Sequence, residues 1–534
     1  MKTNVLYFGD NLEILRNREY FPDECVDLIY LDPPFNSKKD YNILFKENSG
    51  IESEAQIKAF TDTWHWTQSA ENTYHDIVVN GPLNVGKLIG ALHDTIGHND
   101  VMAYLVMMTA RLIELHRVLR PTGSLYLHCD PTASHYLKLV LDQIFGVVNF
   151  KNEIVWKRTS AHSDPGRYGA NIDILLFYTK GERWIWNQVF RPHEQEYIAR
   201  FRNKDQDGRL WSDYDLTAKG LSGGGYEYEY KGVKSLWRCP IETMKQLNAE
   251  GRLHFTKAGG IRLKRYLDDT KGTVLQCLWE DIPPINSQAK ERLGYDTQKP
   301  LALLERIIKA SSNEGDIVLD PFCGCGTALV AAQKLKRRWI GIDITHLAVN
   351  LMRNRLKDTF GIKAEVIGEP VDLAGAKALA HQTDRYQFQW WALGLIGARP
   401  LGEKKKGADK GIDGIIQFID GTDSSVKRVI VQVKSGHVGV NAIRELKAVA
   451  ANEAIGVFIT LDSPTEPMKV EAIDAGFYHS PIWKKDYPKI QILTVEELLK
   501  GKTVDMPPQE QTSVTYTRAK RISIPEGEQL SLED

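Results

Sequence analysis

The sequence is poor in cysteine, carries no surplus of either charge and has no long apolar run. Six cysteines in 534 residues exclude a disulfide-held scaffold and point to a reducing compartment. No stretch approaches the roughly 18 consecutive apolar residues of a membrane-spanning helix, so no membrane partner is expected. The opening MKTNVLYFGDNLEIL turns polar too early for a secretory signal, which makes a cytoplasmic protein the expectation. Sixty-eight basic residues against 69 acidic give a net charge of -1. Bulk charge therefore offers no attraction to nucleic acid, and any DNA contact must come from local basic faces. What is present is a globular composition with length for three or four domains, at about 150 residues each.

Hydrophobic patterning predicts an α/β chain. Val5 to Phe8 and Val26 to Leu31 read as short buried strands, mostly apolar as parallel strands are. Residues 51–100 read as a helical insertion carrying Trp64, His65 and Trp66. A helix over 101–120 is predicted to stop at Arg120-Pro121-Thr122-Gly123, a Pro and Gly stop signal. Strands follow at Ser124 to His128 and Ile172 to Tyr178. From about 181 to 290 glycine, tyrosine and tryptophan are frequent and periodic helices are scarce, the texture of an inserted domain. Periodicity resumes at Lys299-Pro300, with strands at Ile317 to Leu319 and Trp339 to Ile342 around a helix over 327–336. A second shift near 369 opens a segment that reads helix, strand, strand, helix, strand. The last residues, 501–534, form a polar tail.

Two motifs end strands. Asp320-Pro321-Phe322-Cys323-Gly324-Cys325-Gly326-Thr327 follows one strand and opens a helix. Its glycines allow a tight turn at the carboxyl end of the strand, where doubly wound sheets bind ligands. Sixteen residues beyond Thr327, Asp343 closes the next strand, where a carboxylate can accept hydrogen bonds from both ribose hydroxyls of an adenosine ligand. A lone glycine loop is also what a simple tight turn looks like. The two cysteines are spaced wrongly for a zinc pair and read as small packing residues. The other motif is Asp32-Pro33-Pro34-Phe35. Its prolines fix a rigid loop, presenting the Asp32 carboxylate and the Pro33 carbonyl as acceptors for a planar exocyclic amine. Phe35 can stack on the ring that carries the amine. A proline turn capped by Asp would read the same.

Taken together the motifs resemble those of the amino-methylating DNA methyltransferases, which use S-adenosylmethionine. DPPF looks like their catalytic motif, and DPFCGCGT with Asp343 like their cofactor motif. The catalytic motif precedes the cofactor motif, as in the permuted "beta" group that includes type III modification subunits. The likeness extends through Gly9-Asp10, Asp62 to Trp66, RVLRPTGSLYLHCD at 117–130, NEIVW at 152–156 and Thr297-Gln298-Lys299-Pro300. It implies Asp10 near the cofactor adenine, Gln298, Lys299 and Pro300 beside its methionine end, and Asp320, Phe322, Gly324, Gly326 and Thr327 in the cofactor loop. It also implies a target-recognition domain in the inserted region. No Pro-Cys pair is present, which disfavours carbon-5 cytosine chemistry. Phe35 leans, by family analogy, to adenine N6 over cytosine N4.

A further constellation lies beyond residue 400. Asp413 precedes a strand, and Gln432 and Lys434 share one face of the next. An acid, a side-chain oxygen and a lysine converging there suit Mg²⁺ on a phosphodiester, with Asp413 and Gln432 as metal ligands. A solvated strand edge would look alike. GIDG followed by VQVKSG resembles the Mrr-like branch of restriction endonucleases. Lys404-Lys405-Lys406 could meet phosphate.

The expectation is therefore a Rossmann-like methyltransferase in permuted order, with an inserted domain and a C-terminal restriction endonuclease-like α/β domain. Its boundaries are 1–180, 181–290, 291–368, 369–500 and a tail over 501–534. It would methylate double-stranded DNA, as a homo-oligomer or with further restriction-system subunits, and cut it with Mg²⁺. The alternative is a methyltransferase with an inert nuclease fold. A nonenzymatic DNA-binding protein is argued against by the intact motifs.

Overall fold

The computed structural model describes the chain except residues 35–39, 44–56, 62–64, 161–165, 167, 219–223, 270, 287–288, 290, 294, 296, 382–384, 402–410, 422–424, 509–512 and 517–534. It divides into two compact units, Gln188–Gln276 and Met1–Asn187 with Cys277–Asp534. Among the described residues no helix is long and apolar enough to cross a membrane.

The larger unit is organised by a nine-stranded sheet. In chain order its strands are β1 (Val5–Phe8), β2 (Val26–Leu31), β3 (Leu119–Cys129), β4 (Phe150–Lys157), β5 (Ile172–Thr179), β6 (Leu278–Trp279), β7 (Ile317–Asp320), β8 (Arg338–Asp343) and β9 (Glu365–Ile367). Their spatial order is β6-β4-β5-β3-β2-β7-β8-β1-β9. From β3 to β9 every pairing is parallel, whereas β5 runs antiparallel to both β3 and β4. Every residue of β2 and β7 is buried, because helices cover both faces of a parallel sheet. One core holds α1 (Asp100–Val118) against the sheet. The other holds α2 (Thr327–Lys334) and α3 (His346–Phe360). The expected Rossmann-like α/β fold is the one observed. From β2 the chain proceeds to β3 on one side, and from β7 to β8 on the other. The β2–β7 boundary is thus a topological switch point, where open α/β sheets leave a crevice at the carboxyl ends of their strands.

The anticipated stop at Arg120 to Gly123 is a bulge instead. Leu119 pairs with Val26 and Ser124 with Leu28, so the intervening residues loop out while the strand continues. The 51–100 insertion contains helices Gln68–Asn80 and Leu83–Ile96, but also a strand, Ile57–Thr61, paired with Asp40–Ile43. Trp64 lies outside the described residues.

Residues after 369 build a second sheet within the same unit. Its strands are β10 (Arg399–Pro400), β11 (Gly414–Ile419), β12 (Val426–Lys434), β13 (Ile455–Thr460) and β14 (Ile490–Thr494), in that spatial order. The last three are parallel. Part of the expected tail is tied to it: Val514 N–H donates to Gln417 O (2.9 Å) and Tyr516 Oη to Ala398 O (2.9 Å). Helix α4 (Arg385–Leu395) packs on α3, with Asn350 Nδ2 donating to Trp390 O (3.1 Å) and His346 N–H to Gln387 Oε1 (3.2 Å).

The smaller unit holds a four-stranded antiparallel sheet, in the order Leu253–Phe255, Ile261–Tyr266, Leu210–Asp215, Asn203–Lys204, and a hairpin of Tyr226–Tyr230 with Val233–Trp237. Trp237, Tyr230, Met244 and Ile261 form its core. Tyr214, Tyr226 and Phe255 are exposed.

Gly394 lies where α4 meets the Asn350 side chain, and a Cβ there would overlap it. Gly394→Ala is expected to cost roughly 1–3 kcal/mol through overpacking and the strained Asn350–Trp390 bond. Urea denaturation monitored by tryptophan fluorescence checks this, and an unchanged midpoint would contradict it.

Candidate functional site

A cavity of about 360 Å³ opens at the carboxyl ends of β1, β2, β7 and β8, a volume typical of small-molecule sites. Asp10, Asp32, Pro33, Pro34, Asp320, Phe322, Gly324, Thr327, Lys299 and Asp343 line it. The structure thus brings together residues that are separated by more than 300 positions in sequence. Phe35 lies outside the described residues.

Each acid is held differently. Asp10 caps helix Asn11–Arg16 by accepting from Leu12 N–H (2.7 Å). Both its oxygens also accept from Arg111 Nη2 (2.9 Å each). Arg111 Nε donates to Asn11 Oδ1 (2.5 Å), and Asn11 Nδ2 to Pro321 O (2.7 Å). One buried guanidinium therefore connects the loop after β1 to the loop after β7. Asp343 accepts from Gly324 N–H (2.9 Å), Thr345 N–H (2.9 Å) and Thr345 Oγ1 (3.0 Å). Burial pushes its carboxyl up to about 6. Burial also pushes the Asp320 carboxyl well above its usual range, and the charges of Asp32 and Asp343 add to this. Phe322 N–H donates to Asp320 Oδ1 (3.1 Å).

The glycine loop needs its glycines. Gly326 is left-handed (φ 72°), and a Cβ on it would stand 2.8 Å from Met352 Cγ. Gly324 (φ 49°) passes the Tyr295 ring so closely that a Cβ would lie 3.2 Å from it. Cys323 and Cys325 are buried, Cys323 Sγ donating to Ile342 O (3.1 Å).

Lys299 Nζ lies 2.5 Å from Asp32 Oδ2, both side chains largely buried. The resemblance had implied a place for Lys299 beside a cofactor's methionine end, and the structure pairs it with the acid of the DPPF motif. Gln298 is outside the cavity lining and ties its own loop, Nε2 donating to Glu291 O (2.6 Å) and Oε1 accepting from Leu293 N–H (2.8 Å). Pro300 caps helix Leu301–Ser311.

Sequence reasoning missed Arg111 and Arg355. Arg355 Nη1 donates to Cys325 O (2.8 Å) and Thr327 Oγ1 (3.0 Å) from a fully buried position on α3. The available signal was a charge at a core position of a helix, since Arg111 follows buried Met107 by one turn. It also missed a buried row beneath the DPPF loop: Tyr30, which lines the cavity, then His128 and Asp173.

In the second constellation, Asp413 Oδ2 accepts from Val433 N–H (2.7 Å). Gln432 is 3% exposed, and among the described residues its Oε1 has no hydrogen-bond partner. Lys434 is half-buried at the end of β12. Residues 404–406 lie outside the described residues.

The family described as "DNA methylase" matches residues 26–354. The chain belongs to this family. The methylase is 34% identical over 357 residues to the type II methyltransferase M.EcaI of Enterobacter cloacae, covering 66% of this chain and 69% of that one. It is 28% identical over 351 residues to the StyLTI Mod subunit, a type III restriction-modification enzyme of Salmonella typhimurium, spanning 62% of this chain and half of that protein. Superposition on the M1.HpyAVI–SAM complex gives a TM-score of 0.31 at 17% identity, over 66% of this chain and 99% of that one. Residues 387–500 of the methylase match a family described as "NACHT-associated inactive Restriction Endonuclease 1".

Replacing Arg111 with Met removes the shared partner of Asp10 and Asn11. A loss of roughly 1–3 kcal/mol of stability is expected from the polar groups left unpaired, and calorimetric melting measures it. Melting at the wild-type temperature would refute the cross-link.

Proposed function

We propose that the chain transfers a methyl group from S-adenosylmethionine to the exocyclic amine of a base in double-stranded DNA, at adenine N6. The observation that carries this is the meeting of the DPPF and DPFCGCGT loops in one cavity, with Asp32 and Asp343 both on its wall. Cavity volume and donor chemistry suit the cofactor: carboxylates for its ribose and ammonium groups, and glycine-lined backbone for close approach. When bound, the cofactor supplies an electrophilic methyl on a sulfonium. Asp343 would take the ribose hydroxyls and Asp10 would stand near the adenine. Asp32 and the Pro33 carbonyl take the two N–H donors of the target amine, aligning its nitrogen for in-line attack. Lys299 releases Asp32 as the base enters. The unit Gln188–Gln276 reads the sequence, with Tyr214 and Tyr226 among its exposed aromatics; base-edge contacts specify where phosphate contacts only position.

For residues 369–500 the reading without cleavage is the better supported, because the matched family is described as inactive. A Mg²⁺ ion would take the Asp413 carboxylate and Gln432 Oε1, and would polarise a phosphate beside Lys434. That pair carries one negative charge. Among the described residues no three His, Cys, Asp or Glu side chains gather to hold a metal. The domain is thus a DNA- or partner-binding element, and cleavage falls to a separate restriction subunit. Gln432 Oε1, buried without a partner, favours the opposite reading, of a site built for a cation.

Three experiments test these readings. Asp32→Ala is expected to abolish radiolabelled methyl transfer and leave cofactor binding within a fewfold of wild type. Methyl-sensitive sequencing of DNA from expressing cells should show N6-methyladenine at one short motif, and N4-methylcytosine in its place would refute the base assignment. Unmethylated plasmid incubated with the protein and Mg²⁺ is expected to stay supercoiled. Linearisation that disappears in Lys434→Ala would establish the nuclease.

A further inference from the structure

A buried polar row runs under the catalytic loop, across three adjacent strands. Tyr30 on β2 lies two residues before Asp32, so the two side chains leave the strand on the same side. Its hydroxyl is 3.0 Å from His128 Nδ1 on β3, and His128 Nε2 is 3.0 Å from Asp173 Oδ2 on β5. All three side chains are at most 2% exposed. The row begins at the cavity wall and ends at Arg158, whose guanidinium stands 3.4 Å from Asp173 Oδ1 and whose side chain is 42% exposed. Three hydrogen-bonding side chains inside a sheet core are costly unless matched to one another, and the main-chain ladders of β2, β3 and β5 do not need them.

The orientation of the row follows from its acid. Burial is the largest influence and opposes the Asp173 charge, but the hydrogen bond from His128 together with the nearby charges of Lys299 and Arg158 holds the carboxyl below its usual range. A carboxylate only accepts, so His128 Nε2 carries the proton. Nδ1 is then the acceptor, and the Tyr30 O–H donates to it. The Tyr30 oxygen keeps lone pairs for the cavity. This is the order of a nucleophile–histidine–carboxylate triad, with a phenol at the reacting end.

Methyl transfer to an exocyclic amine forms an N–C bond as the C–S bond breaks, and leaves the nitrogen with one proton too many. We infer that Tyr30, His128 and Asp173 form the relay that receives this proton. Once the N–C bond has formed, one N–H of the methylated amine turns from the Pro33 carbonyl to the Tyr30 oxygen, and that N–H bond breaks as the Tyr30 proton passes to His128 Nδ1. The imidazolium so formed is held by Asp173 until the product departs, and the proton then returns through Tyr30 to water in the emptied cavity. Tyr30 is the catalytic residue of the three; His128 and Asp173 act through it. Burial and the charges of Asp32, Asp320 and Asp173 act against ionisation of Tyr30, and Lys299 and Arg158 favour the Asp173 carboxylate. The inference rests on the methyl-transfer reading above.

The test compares wild type with Tyr30→Phe and Asp173→Asn. Single-turnover methyl transfer to unmethylated DNA is followed across pH, alongside cofactor affinity by calorimetry and the urea midpoint. Tyr30→Phe is expected to lose roughly 10²-fold in rate, together with the wild-type pH dependence, at near-normal cofactor affinity. In the cofactor-free protein, Asp173→Asn is expected to abolish the downfield proton resonance of the His128 Nε2–H. A wild-type rate in Tyr30→Phe would overturn the relay, as would a rate loss that merely tracks a lowered folded fraction. Absence of methyl transfer by the wild type itself would instead refute the methyltransferase reading, and the relay with it.

Discussion

Pairing of β2 with β7 is the contact on which the site depends. Val318 and Leu319 lie in register with Leu28 and Ile29. The seam is closed at its base by Ile317 N–H donating to the buried Asp27 carboxylate (2.9 Å), which also accepts from Arg120 Nη1 (2.6 Å). The two loops that follow these strands carry Asp32 and Asp320. Shifting the register by one residue would turn each side chain to the opposite face and separate Asp32 from the glycine loop with which it lines the cavity. Buried strands on both sides make that register expensive to change.

Buried cations then fix what the sheet brings near. Arg111 spans Asp10, Asn11 and, through Asn11, Pro321. Arg355 clasps Cys325 and Thr327 from behind. Both guanidiniums present planar, preorganised forks to backbone and side-chain acceptors that the loops would otherwise leave unsatisfied. At another part of the cavity wall Lys299 Nζ meets Asp32 through Oδ2, and a carboxylate has two oxygens with which to accept.

Much of this was legible in the sequence. The central strands are short and apolar, and β1, β2 and β7 are followed by proline or glycine, so β1, β2, β7 and β8 could be placed almost to the residue. The DPPF and DPFCGCGT loops each read equally well as plain turns, and only their occurrence together carried the resemblance. Arg111 and Arg355 were not legible, because a single arginine in an apolar helix shows no periodicity of its own and its partners are remote in sequence. Tyr30, His128 and Asp173 were hidden for a similar reason: each sits alone in a different strand, and only lateral pairing aligns them. The bulge in β3 was mistaken for a turn because Pro121 and Gly123 mark both. The Gln298 side chain shows the limit of motif reading, since a residue inside a strong signature proves to secure its own loop.

The position of β1 carries a consequence for how the molecule is made. Its neighbours are β8 and β9, strands that end at Asp343 and Ile367. A chain emerging from the ribosome exposes Val5–Phe8 well before its partners, and both edges of that strand stay unpaired until more than 300 further residues have been added. Contacts of such separation close slowly, and an apolar strand waiting with open edges is prone to wrong partners. The Gln188–Gln276 unit, a compact body of its own, lies wholly within the interval that separates β1 from its partners in sequence.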